Sequence, residues 1–432
     1  LRHRLSIILS ALKLPRSTYY HWKRYQPSQH ERVDNQLKEK IKLIWENNYR
    51  AYGYPRITMV LRKSGICVGS KRILRLMREM EIHSLMNRRF KKPGTHVDHS
   101  QLNNLFKKAK KGKTITLIGN FKMNGNVKLP TKANVHVNAT KANFTGKSGF
   151  FYGVLTKGLN WQGGTFYGGG HEFRLLRNSR ATFKNASFHQ ACGIGGHIFD
   201  LMGCSNITIT HSHFYGYGHT LSTAIMRKNG NHGEYGESIQ TDYANCNSGG
   251  PGFNKYGKGH FNGTPSTYIT VTHNTWAPEY SGRKLVSLAQ VAIGQHDTIS
   301  SNRRMIAHIN FSYNTVKNAV RLSGMGVDIK YFGAPVHFES SRALTINHNT
   351  FSTTLKRARP ENDIIISNQY GHMPHTTAVS IQNNSFTGYH ATHSAIQLYA
   401  RRGHSIKGVK VRKNATHGMC LIKRYGNTTV SY

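Results

Sequence analysis

In the stretch "GEYGESIQTDYA", residues 233–244, Glu234, Glu237 and Asp242 fall within nine positions of a chain that has only 18 Asp+Glu against 60 Lys+Arg. A fourth acid, Asp200, stands earlier in "GHIFDLMGC". Side chains alternate along a strand, so "ESIQTD" puts Glu237, Ile239 and Thr241 on one side and Ser238, Gln240 and Asp242 on the other. By the same rule Phe199 and Leu201 face inward and Asp200 outward. If the two strands lie in neighbouring layers, Asp200 stands beside Gln240 or Asp242, with the carboxylates ~5–10 Å apart. Carboxylates that close repel, which raises one pKa and suits it to protonate a leaving glycosidic oxygen. That range covers both retaining and inverting hydrolysis, so the stereochemistry stays open.

Other groups surround these acids. His197, His232 and His296 could steer protons or hold substrate, and Gln240 shares the outward side. Arg227, Lys228 and Arg283 could hold an anionic sugar. Tyr215, Tyr217, Tyr235, Tyr243, Tyr256 and Trp276 offer aromatic faces for sugar rings. A purely structural reading competes: acids capping turns or paired with lysines, and histidines that are satisfied core groups. Calcium-assisted elimination is a further alternative, but calcium wants six to eight oxygens and three acids are few for it. No metal or other cofactor is expected for hydrolysis; calcium enters only with a lyase.

Such residues need elements to position them, and 432 residues exceed one ordinary compact domain unless the fold is an elongated repeat. A formal charge of +42 favours polyanions: nucleic acid, anionic glycan or a cell-wall polymer. Residues 1–100 carry a net +15 and the remainder +27, so charge assigns no single partner to the whole chain. No apolar run is long enough to span a membrane, and no signal peptide is visible. The chain starts with Leu, which suggests a fragment or a reading frame opened elsewhere. Five cysteines without C-x-x-C spacing read as scattered thiols, not a disulfide framework or zinc site.

Up to about residue 95 the pattern is helical. Leu5, Ile8, Leu9 and Leu12 recur at helical spacing, "PRS" interrupts, and Leu37, Ile41, Ile44 and Trp45 form the next stripe. In "VGSKRILRLMREMEI", Ser70 reads as an N-cap before Ile73, Leu74, Met77 and Met80. Lys71, Arg72, Arg75 and Arg78 would form an exposed basic face, as in a helix-turn-helix module. The segment "YRAYGYPRITMVLRKSGICVGSKRILRLMREMEI" resembles the helix-turn-helix part of insertion-sequence transposases of the IS-three group, and "PRSTYYHWKR" resembles the element before it. The resemblance implies DNA contacts through Ser70, Lys71, Arg72, Arg75 and Arg78. In that family a ribonuclease-H-like domain with a D,D,E triad comes next. No matching strand follows "RRFKKPGTHVDHS", so no transposition chemistry is expected here.

From about residue 101 the period changes to strand and turn. An eight-residue word, Φ-x-Φ-x-x-N-x-Φ, starts at Leu159, Ala181, Ile207, Ile269, Ile309, Leu344, Val379 and, more weakly, Val409. Its sixth position is Asn at 274, 314, 349, 384 and 414. A single such rung cannot bury its own apolar face, whereas rungs stacked about 4.8 Å apart bury them all. Asn at a fixed corner can adopt the left-handed conformation and hydrogen-bond to its counterpart. A sandwich would not repeat one word, and a propeller would space it evenly.

The expected fold is mainly β: a parallel β-helix over 96–432 behind a small all-α helix-turn-helix domain over 1–95. This stretch resembles the pectate-lyase-like superfamily, especially surface or secreted proteins of Gram-positive bacteria, and right-handedness is part of what the likeness implies. Its hydrolases, such as polygalacturonases, use clustered acids on this face. The likeness therefore points to Asp200, Glu237 and Asp242 for catalysis, and His197, Gln240, His296, Arg283 and Trp276 are the candidates for binding an acidic or cell-wall polysaccharide. The alternatives are a polysaccharide lyase, a non-catalytic wall-binding solenoid and a transposon-derived DNA-binding protein. The location in the cell stays open.

Overall fold

The computed structural model describes residues 5–84, 97–146, 149–168, 173–189, 197–216, 237–245, 253–295, 304–319, 334–356, 358, 360, 362–368, 373–388 and 394–432. Contacts divide the chain into two compact units, 1–90 and 91–432.

The first unit is helical: α1 Leu5–Ala11, α2 Arg16–Arg24, α3 Gln29–Asn47, α4 Tyr54–Lys63 and α5 Ser70–Glu79. Leu37 and Ile41 of α3, Ile57 and Leu61 of α4, Val68, and Ile73, Leu76 and Met77 of α5 share one buried core. Ser28 caps α3 by accepting from the Glu31 N–H, and Pro55 sits in the first turn of α4, where a missing N–H costs nothing. Two expectations need correction. Gly69, already extended, takes the cap position of α5 without a side-chain bond, so Ser70 is the first helical residue. Of the α1 stripe only Leu9 is buried; Ile8 and Leu12 are exposed.

The second unit is a parallel β-helix. A ten-stranded sheet runs from Val127–Lys128 through Phe173–Leu176, Phe199–Met202, Glu237–Asp242, Val291–Gly294 and Val336–Glu339 to Cys420–Tyr425. A twenty-stranded sheet holds the repeated words, folded at the word's fifth and sixth positions into two strands per rung. Register is kept from rung to rung: Ile207 pairs with Ile269, Ile269 with Ile309, and Ile309 with Leu344.

The corner explains the repeat. The Asn314 side chain accepts from the Asn274 N–H at 2.9 Å and donates to the Val271 carbonyl at 2.8 Å, while the Asn314 N–H donates to Asn349 Oδ1 at 2.9 Å. The pattern continues through Asn349, Asn384 and Asn414. The left-handed conformation, however, belongs to the residue before each Asn. His273, Tyr313, His348, Asn383 and Lys413 all have φ between 51° and 58°. That twist frees each Asn side chain to reach its neighbour.

Inside, the word's last apolar position forms a stack of rings: Phe166 on Phe188 at 4.7 Å, Phe188 on Phe214 at 5.1 Å and Phe214 on Trp276 at 4.6 Å. Each such pair contributes about 0.5–1.5 kcal/mol beyond the area it buries. Helix α6, His99–Lys107, closes the first rung with Leu102 and Phe106, and is capped by Asp98, which accepts from the Ser100 and Gln101 N–H groups.

Candidate functional site

Parallel pairing places Asp200 opposite Gln240 on one side and Arg174 on the other, with Met202 opposite Asp242. Since Phe199 and Leu201 lie in the core, Asp200, Gln240 and Asp242 share the outer face of the ten-stranded sheet. Asp200 and Asp242 are diagonal neighbours, one rung and two residues apart, or roughly 8 Å along the backbone. Gln240 donates through Nε2 to Asp242 Oδ2.

Glu237 departs from simple alternation. Its Oε1 lies 2.7 Å from His337 Nε2 and its Oε2 lies 3.4 Å from His197 Nδ1. His337 is in line with Gly294 and Gln240 on the outer face, so the Glu237 carboxyl belongs to that face and not to the interior. Gly294 makes this possible, because a Cβ there would collide with His337 Nε2 and Glu237 Cγ. His337 Nδ1 lies 3.1 Å from the Ala334 carbonyl and so carries a proton. His337 Nε2 therefore faces the Glu237 carboxyl from one side while His197 approaches it from the other. His197 Nδ1 likewise donates to the Glu237 carbonyl at 3.0 Å.

The whole group is sealed: Asp200, Glu237, Asp242, His337 and Glu339 are 0% exposed. Burial pushes the Asp200 carboxyl up to about 6, although His197 and Arg174 both pull it down. Asp200 therefore holds its proton at a pH where an exposed aspartate is ionised.

Several expectations change. Trp276 is 0% exposed and packed between Phe214 and Phe311, in the core and not on the outer surface. Its place at the end of the repeated word made it a core position. Tyr243 is also buried in the core, and Tyr256 packs against Tyr152 at 4.2 Å. Arg283 is an exposed turn residue between the antiparallel strands Glu279–Ser281 and Lys284–Ser287. His232, Glu234, His296, Arg227, Lys228, Tyr217 and Tyr235 lie outside the described residues. His337 and Glu339 went unnoticed in the sequence, yet in "VHFES" they stand two apart on a strand, as Gln240 and Asp242 do. Among the described residues no group of three or more His, Cys, Asp or Glu side chains is arranged to hold a metal ion.

In the helical unit, Lys71 and Arg78 are exposed on α5. Arg72 and Arg75 instead reach back to Asp34 of α3, at 2.6 and 2.5 Å, and Arg75 also pairs with Glu79. Burial alone would raise the Asp34 carboxyl, but hydrogen bonds from Arg75 and Arg72 outweigh it and hold it below the usual range. These two arginines tie α5 to α3, so the open cationic face is narrower than the sequence implied.

Fold and site together define a chain in two parts, a helix-turn-helix-like segment joined to a parallel β-helix with a buried acid cluster on one sheet. Residues 32–90 match the HTH-like domain family. Over 90 residues the chain is 41% identical to a probable transposase for insertion sequence element IS1353 from Shigella flexneri; the match covers 20% of this chain and 17% of that protein. The β-helix is similar to the surface protein and adhesin PfbA of Streptococcus pneumoniae, at 14% identity and TM-score 0.47, covering 78% of this chain and 96% of PfbA. It is also similar to an alginate lyase from Paenibacillus sp. (13% identity, TM-score 0.30, 77% and 97% covered) and to the catalytic domain of a GH87 α-1,3-glucanase (12%, 0.34, 80% and 69%). No helix among the described residues is long and apolar enough to cross a membrane.

Proposed function

We propose that the β-helix is a carbohydrate-active module that hydrolyses an acidic or cell-wall polysaccharide at the face bearing Asp200 and Asp242. The supporting observation is the asymmetry of these two carboxyls: burial keeps Asp200 protonated up to about pH 6, while Asp242 accepts a hydrogen bond from Gln240. A carboxyl that holds its proton can donate it to the glycosidic oxygen as the bond to the leaving sugar breaks. A nearby carboxylate then serves either as base for water or as nucleophile. Glu237, with His337 and His197 beside it, is a third acid near this pair. Release of reducing ends from a panel of anionic polysaccharides tests this. Asp200→Asn and Asp242→Asn are each expected to lower the rate at least a hundredfold. Unchanged release in both variants removes the assignment.

The complete burial of Asp200, Glu237 and Asp242 favours a second reading, a non-catalytic wall-binding solenoid whose acids form an internal network. Its signature is retention on anionic cell-wall polymer with no reducing ends released by the wild-type chain.

For residues 1–95 the proposal is binding to DNA through α5, supported by exposed Lys71 and Arg78. Gel shifts on insertion-sequence end DNA are expected to weaken in Lys71→Ala and Arg78→Ala with the helical fold intact. Arg72→Ala and Arg75→Ala are expected to lower the thermal stability of the unit as well, because both arginines tie α5 to Asp34 of α3. Equal binding to random duplex would reduce the interaction to charge.

A further inference from the structure

The outer face of the twenty-stranded sheet carries a second constellation. Each rung has a left-handed residue near its start: Asn206, Tyr268, His308, Ala343 and Ala378, all with φ between 51° and 57°. Their side chains form a column up the solenoid. The Tyr268 and His308 rings stack at 4.4 Å and 1° from parallel. One rung further the column stops, because Ala343 and Ala378 carry no ring. The result is a groove of about 510 Å³, bounded by Tyr268 and His308, with Ala343 and Ala378 leaving the next places in the stack vacant. Its floor is a carpet of hydroxyls and amides: Thr208, Thr270, Asn310, Thr345 and Ser380. A neighbouring groove that shares Tyr268 and His308 brings in Arg304, Arg342 and His375.

We propose that this groove is a glycan-binding site separate from the acid face, and that it takes an acidic sugar residue of an extended polysaccharide. A sugar ring seated over Ala343 continues the stack on the open face of His308 at the spacing of one rung. Its hydroxyls meet Thr345, Ser380 and Asn310, and its carboxylate faces the Arg342 side. No Asp or Glu lines either groove, so nothing there repels an anion. The polar floor runs from Thr208 to Ser380 across five rungs, which suits a polymer lying along the axis better than a single small ligand. The ligand class follows the glycan reading above; the site itself does not depend on the hydrolytic one.

The test is calorimetric titration of the full chain with a galacturonate hexamer, against a neutral cello-oligosaccharide of equal length. Asp200→Asn is present throughout so that the probe is not consumed. Ala343→Tyr fills the vacant place with the residue that already stands at the same φ at position 268, so the fold should accept it. It is expected to weaken hexamer binding at least tenfold, and His308→Ala, which removes the platform, to do the same. Arg342→Gln is expected to erase the preference for the acidic over the neutral chain. Unchanged hexamer binding in Ala343→Tyr overturns the proposal, as does equal affinity for a single-stranded oligonucleotide. Groove binding without reducing-end release by the wild-type chain would overturn only the hydrolase reading. Reducing-end release by the wild-type chain together with unchanged hexamer binding in Ala343→Tyr would overturn only the groove.

Discussion

Asp200 keeps its proton because the fold removes water from it, and this has a thermodynamic consequence. Its carboxyl moves from 3.8 in the open chain to about 6 in the fold, so between those values the native state binds more protons than the unfolded one. The associated stability is therefore fully present below about pH 4 and is lost as pH rises through 6. Asp200→Asn, which cannot ionise, is expected to raise stability at pH 7 by roughly 3 kcal/mol, from about 1.4 kcal/mol per pKa unit, and to change little at pH 4. Urea unfolding at the two pH values checks this; equal effects at both would mean that Asp200 is not held neutral. At this scale the sequence was partly legible. Alternation placed Asp200, Gln240 and Asp242 on one outer face because their neighbours Phe199, Leu201 and Ile239 are apolar. Glu237 was misplaced, because its direction depends on the space left by Gly294, fifty-seven positions away.

At the scale of the element, the Asn corner was readable because every rung must satisfy the same buried backbone groups, which imposes one residue type at one spacing. Replacing Asn314 with Ala leaves the Asn274 N–H without its acceptor and the Val271 carbonyl without its donor, both in the buried interior. The expected loss is about 3 kcal/mol, since each buried group left unsatisfied costs about 1–3 kcal/mol. Asn314→Ser should recover part of it, as Ser212 already ends the ladder by accepting from the Ala186 N–H. Thermal unfolding of the two variants measures the difference, and a loss under about 1 kcal/mol for Ala would show that the bonds contribute little net stability. The word did mark its apolar positions as core, and Trp276 is one of them. Trp276 looked like a sugar platform until the stack of Phe166, Phe188 and Phe214 beneath it was seen. The left-handed residue before each Asn was hidden too, since His, Tyr, Asn and Lys all occupy it and no shared side chain marks the conformation.

At the scale of the molecule, the formal charge of +42 and the geometry of the grooves make different demands on a polyanion. A diffuse positive field attracts any acidic polymer, and it fades as salt shortens the screening length to roughly 6 Å at about 0.3 M. A sugar ring held between His308 and Ala343 makes contacts that salt screens far less, because stacking and hydroxyl pairing need no net charge. Binding of a galacturonate hexamer is therefore expected to fall steeply at first with added salt and then to level off. The level part should vanish in Ala343→Tyr, whereas a single-stranded oligonucleotide held by charge alone should keep falling with a log-log slope set by its phosphate contacts. If the hexamer follows the same unbroken slope as the oligonucleotide, the solenoid is a charged surface without a seat for sugar, and the aromatic column serves only to stack one rung on the next.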